Sequence, residues 1–165
     1  MNKNTPEVYH QKLSMAFHSM IALPLVAFVF LFLEDKHNDL EPILYDQLWV
    51  SFVTYGFSLM AFFLIFLGSK NFKTGLAKIN GEDHLKKRFE HYVSLSMINY
   101  LLIGLASAVL VAGLLLTNSA FFIVEYVTVL FFLSIHRPTP DKYIRDLRLQ
   151  GNEKKCVRNK LEFPG

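Results

Sequence analysis

The sequence predicts an all-α integral membrane protein, a bundle of four transmembrane helices with both termini in the cytoplasm. Three observations carry this prediction. Apolar residues make up 52% of the 165-residue chain and arrive in long blocks rather than at amphipathic spacing. Four blocks are near the length of roughly 20 residues that a helix needs to cross a hydrocarbon layer of about 30 Å. Lysine and arginine are gathered into the segments that would lie on one membrane face.

The blocks run from Met15 to Leu33, Leu48 to Gly68, Tyr92 to Leu116 and Ala120 to Ile135. In lipid every backbone amide must find a partner within its own segment, so each block is read as a helix. The first follows Lys3 and Lys12 but is longer than a signal-peptide core, and no small-x-small cleavage pattern follows it. It is read as a retained anchor. Pro24 inside it removes one amide donor and is expected to bend the helix. Residues 1–137 form the membrane domain, and residues 138–165 a basic cytoplasmic tail.

Orientation follows from the loops. Lys70, Lys73, Lys78, Lys86, Lys87 and Arg88 lie between the second and third blocks, and Arg137, Lys142, Arg145, Arg148, Lys154, Lys155, Arg158 and Lys160 after the fourth. The link from Glu34 to Gln47 has Lys36 alone against Glu34, Asp35, Asp39, Glu41 and Asp46. Of 17 basic residues, one therefore falls outside. A bacterial-type plasma membrane is expected, with anionic lipid head groups meeting the basic face.

The short turn Thr117–Ala120 makes the third and fourth blocks an antiparallel hairpin. Gly104, Ala108 and Ala112 recur every fourth residue along the third, a smooth stripe suited to close helix packing. Tyr45, Trp49 and Tyr92 stand where interfacial aromatic residues are expected. "KNFKTGLAKI" suggests a short interfacial helix ended by Asn80–Gly81. After Pro138, Thr139 is a cap, Pro140 a first helical residue, and Tyr143, Ile144 and Leu147 one face of a short amphipathic helix. The final residues are expected to be loosely ordered.

Few residues suggest chemistry. Glu125 sits inside the fourth block, where a carboxylate costs a few kcal/mol unless it is neutralised or hydrogen-bonded. Thr54, Tyr55 and Ser58 on the second block reach comparable depth, and Thr128 lies one turn along. These five form a candidate proton or cation site. His18, His91 and His136 near the cytoplasmic ends are candidate haem or metal ligands, and Asn99 and Tyr100 are placed to bond His18. Interfacial histidines more often hold nothing, so no cofactor is expected. The lone Cys156 excludes an intramolecular disulfide, a dithiol redox centre and a cysteine zinc site. The basic tail has too little aromatic interleaving to argue for nucleic acid. The function expected is a non-enzymatic accessory or scaffolding subunit that binds a protein partner or itself. The alternatives are a small proton- or cation-coupled transporter centred on Glu125, and a haem-binding electron-transfer protein.

Overall fold

The computed structural model describes residues 5–38, 42–79, 84–159 and 161. The expected Asn80–Gly81 turn, and Lys3, Asp39, Glu41 and Lys160, lie outside them. All regular structure among the described residues is helical: α1 (Pro6–Asn38), α2 (Gln47–Ile79), α3 (Leu85–Thr117), α4 (Ala120–Ile135), α5 (Pro140–Asp146) and α6 (Gly151–Arg158).

Each of α1, α2 and α3 has 33 residues, about 50 Å of helix. All three are long and apolar enough to cross a membrane, and each runs well past its apolar block. The lysine-rich stretch after Gly68 is therefore not a separate interfacial helix; it continues α2 to Ile79. Its Phe72 is held by the neighbouring Tyr92, ring centres 5.7 Å apart, so extending the helix buries what an isolated segment would leave wet. The 16 residues of α4 reach only about 24 Å. With α5 it forms a pair, bent by 78° at the break between Ile135 and Pro140, that reaches the same length and apolarity only when the two are taken together as one broken span.

The central helix is α3. Leu85, Phe89, Tyr92, Ser96, Asn99, Ile103, Ala106, Leu110, Gly113 and Thr117 are all buried, and their spacing alternates four, three, four, three throughout. That is a period of 3.5, the repeat that winds helices gently around one another in left-handed packing. Of the most apolar window of α3, 56% is buried, against 6% for α2. One face of α2, with Phe57, Ala61, Leu64, Ile65, Phe72 and Leu76, packs on the core, while Trp49, Phe52, Phe62, Phe63 and Phe66 are exposed.

Pro24 does not break α1, which continues to Asn38. Its ring deprives the Met20 carbonyl of the amide it would otherwise accept from. Gly104 faces that carbonyl: a Cβ there would stand 3.2 Å from Met20 O. The freed acceptor and the bare α-carbon permit the close approach of α1 to α3. Within the small-residue stripe, Gly104 thus meets α1, Ala112 is half-buried and Ala108 is exposed.

At one end the chain is tied by Asn118, which leaves α3 in the left-handed region (φ 48°) and donates to Asp35, and by the Leu44 amide, 3.0 Å from Leu116 O. At the other end the start of α1, the start of α3 and the tail meet. Tyr9 donates to Glu90 (3.0 Å), the Tyr143 hydroxyl lies 2.8 Å from His10 Nδ1, and Tyr92 donates to Asp146 (3.0 Å). Tyr92 is therefore not an interfacial belt residue. It is 1% exposed because the tail covers it.

The tail is folded rather than loose. Thr139 Oγ1 accepts from the Lys142 amide at 3.3 Å and opens α5. Tyr143 and Leu147, the apolar face of α5, are buried within the protein. The helix ends in a Schellman arrangement: the Leu149 amide bonds Ile144 O, the Arg148 amide bonds Arg145 O, and Arg148 takes φ 51°. That position favours glycine, so Arg148→Gly is expected to raise stability by roughly 1 kcal/mol, read as a higher thermal midpoint. Beyond it α6 buries Cys156 and Val157. Burial pushes the Cys156 thiol up, and Glu153 adds to the shift.

Candidate functional site

Glu125 is carried by α4, which Ser119 caps by accepting from the Phe121 amide. The buried face of α4 is Phe122, Tyr126, Val129 and Leu133, three and four residues apart. This spacing seats the helix on α3, and Tyr126 also stacks on Phe28 of α1 at 4.2 Å. Glu125 falls beside that face, half-buried and turned toward α2. Ser58 Oγ lies 2.9 Å from Glu125 Oε2 and 2.7 Å from the Thr54 carbonyl of its own helix.

A hydroxyl has one proton and two lone pairs. Ser58 can therefore donate to an ionised Glu125, or donate to Thr54 and accept from a protonated Glu125. The pair is matched to both states of the acid. Around it runs an apolar groove of about 190 Å³, formed by Ala61, Phe62 and Ile65 of α2, Leu110 of α3, and Val124, Thr128 and Val129 of α4. Leu110 is seven residues from the end of α3, which sets the site about 10 Å below that end.

Of the five residues proposed for this site, Ser58 and Glu125 touch, and Thr128 lines the same groove while its hydroxyl donates to Val124 O at 2.9 Å. Thr54 contributes its carbonyl, and its own hydroxyl donates to Val50 O at 2.8 Å. Tyr55 is 73% exposed and faces away. Ala61, Phe62 and Leu110 were not foreseen. An apolar residue inside an apolar run carries no mark of which neighbour it meets.

His18 and His91 are placed apart. His18 is exposed, with Nδ1 2.6 Å from Ser14 O, and its neighbour Phe17 packs on Tyr100 at 5.2 Å. His91 is exposed and precedes Tyr100 by nine residues, about 13 Å along α3. His18 and His91 thus lie at different depths, which does not suit a shared haem. Tyr100 donates to the His136 carbonyl at 3.1 Å rather than to His18. Asn99 lies against Gly68, where a Cβ would stand 2.7 Å from its Oδ1. Among the described residues, no three His, Cys, Asp or Glu side chains gather in a group that would hold a metal.

His136, just past α4, directs Nδ1 to Phe132 O at 2.9 Å. Burial is the main influence on it and lowers its pKa, with Lys142 adding to the shift against the Phe132 bond. A histidine held low in the fold binds fewer protons than in the unfolded chain, so stability is full above about pH 6.5 and falls as pH drops below it. The thermal midpoint should therefore decline from pH 7 to pH 5.5, and His136→Gln should flatten that decline.

The other polar focus is Arg88. It is buried at the start of α3, donates Nη2 to Leu147 O and places Nη1 3.5 Å from Glu153. Its Nε is buried with no partner among the described residues. One guanidinium thus holds the end of α5 and the first turn of α6. In the sequence Arg88 looks like one more charge of the basic loop. The only signal is its place among Leu85, Phe89 and Tyr92, on the face that α3 buries.

No protein-family model matches the chain, and neither the curated proteins nor the solved structures contain one significantly similar to it.

Proposed function

We propose that this chain crosses a bacterial-type plasma membrane four times, with both termini cytoplasmic, and serves there as a non-enzymatic accessory or scaffolding subunit. Support for the threading comes from the helix ends. The start of α1, the start of α3 and the tail share one end, and α4 joins the turn at Asn118 to that end. That end bears the lysines and arginines, which the positive-inside rule assigns to the cytoplasm.

The observation that carries the subunit reading is the folded basic end. Arg88, Tyr92 and Tyr143 lock α5 and α6 onto α3, so the exposed Lys87, Lys154, Lys155 and Arg158 belong to one fixed surface rather than to loose arms. A fixed positive surface suits an acidic partner, because little side-chain and loop ordering remains to be lost on binding. Purification from native membranes in mild detergent is expected to retain a partner or a second copy, and charge reversal at Lys87 and Lys154 to reduce its recovery. A monomer carrying no partner would overturn the reading.

A second reading is favoured by the Ser58–Glu125 pair, which accommodates the acid with and without its proton. Under it the groove is a proton or cation site. Glu125→Gln keeps an acceptor for Ser58 and removes the exchangeable proton. It is expected to abolish pH-driven flux in proteoliposomes while leaving the thermal midpoint within a few degrees. Ser58→Ala is expected to cost about 0.6 kcal/mol, the average for interhelical bonds in membranes. Unchanged flux in Glu125→Gln reduces the pair to a tie between α2 and α4.

A further inference from the structure

A second groove lies between α1 and α4, toward the basic end. The two helices are bridged near the opposite end by the stacked rings of Phe28 and Tyr126 and separate below it. The gap has a volume of about 360 Å³. Its walls are Phe17 and Ile21 of α1 and Leu130 and Leu133 of α4. Its polar lining is His18, Ser134 and Arg137.

These three stand together because of helix spacing. Ser134 and Arg137 are three residues apart at the end of α4, and His18 falls one turn inside the apolar block of α1. All are exposed. Arg137 makes no ion pair with any of the described residues. Nδ1 of His18 donates to Ser14 O, so Nε2 can donate to an anion only when the ring is the imidazolium. The groove therefore offers apolar walls toward the middle of the bilayer and a guanidinium, an imidazole and a hydroxyl at its boundary.

We infer that this groove binds one anionic phospholipid, with an acyl chain along Phe17, Ile21, Leu130 and Leu133 and its phosphate at Arg137, His18 and Ser134. The occupant follows from charge complementarity and depth. The planar fork of arginine matches two phosphate oxygens, and basic pockets between membrane helices on the cytoplasmic side favour acidic head groups. A zwitterionic lipid brings its own cation to the site and forfeits most of that attraction. The site needs the bilayer but no protein partner, so it stands or falls separately from the subunit reading and from Glu125.

The test is native mass spectrometry of the full chain, delipidated and then exposed to equal amounts of phosphatidylglycerol and phosphatidylethanolamine. One phosphatidylglycerol per chain is expected to be retained at least fivefold over phosphatidylethanolamine. The double variant Arg137→Gln, His18→Gln is expected to abolish this preference. The control Arg145→Gln, an exposed charge on α5 away from the groove, is expected to leave it intact. Equal retention of the two lipids by the unaltered chain would overturn the assignment. So would loss of preference in the control, or a preference that survives in the double variant.

Discussion

Arg88→Ala is expected to lower stability by about 2–3 kcal/mol and to release the tail. The guanidinium is buried, so its removal leaves the Leu147 carbonyl and the Glu153 carboxylate without the donor that joins them. In a chain of this size that loss corresponds to a fall in thermal midpoint on the order of 5–10 °C. The tail should then be cut quickly by trypsin after Lys154 and Lys155, which the folded α6 protects in the unaltered protein. Arg88→Lys should rescue little, because a single ammonium cannot span two acceptors as the fork does. A tail cut at the same rate in Arg88→Ala and in the unaltered protein would show that the buried aromatic contacts of Tyr143 suffice.

Gly113→Val should be strongly destabilising in the membrane-spanning part. A Cβ at Gly113 would overlap the ring of Phe122, and that ring is fully buried between α3 and α4. Overpacking of this kind costs about 1–3 kcal/mol, and the second branch of valine places the value at the upper end. Elsewhere in a helix, replacing glycine gains roughly 1 kcal/mol in propensity, so even the sign of Gly113→Ala is informative. Phe122→Leu in the same chain should restore much of the loss, because it removes the atoms in conflict. Additive costs in that double variant would mean the two residues do not share the contact.

The parts of this fold legible in the sequence are those set by transfer from water. The apolar blocks mark where α1 to α4 lie, because an uncharged run of that length has few other places to go. The packing seam is another matter. Ser96, Asn99 and Thr117 sit on it beside Tyr92 and Gly113, so its 3.5 repeat is invisible to hydropathy and appears only once α3 is seen surrounded. The length of α2 is hidden for the same reason: Lys73 and Lys78 end its apolar run without ending the helix.

At the candidate site, counting residues from the helix ends brought Ser58 and Glu125 to one level, and the structure joins them. Counting gives depth and not azimuth, so Tyr55, at nearly the same level, turned out to face outward. The docked tail was hidden because its contacts are long-range. Tyr92 and Asp146 are 54 residues apart and His10 and Tyr143 are 133 apart, separations over which composition carries no information. Local chemistry was readable where it was local, as at Thr139, Pro140 and Asp141.

The central claim is the threading, and site-directed labelling from outside intact cells tests it most directly. With Cys156 replaced by alanine, single cysteines at the exposed positions of Lys36, Lys86 and Lys154 would be treated with an impermeant maleimide. Labelling at 36 alone, with 86 and 154 reached only after the membrane is opened, is the predicted result. Labelling of 86 and 154 in intact cells would invert the protein, and labelling of 154 without 86 would mean that α4 does not cross.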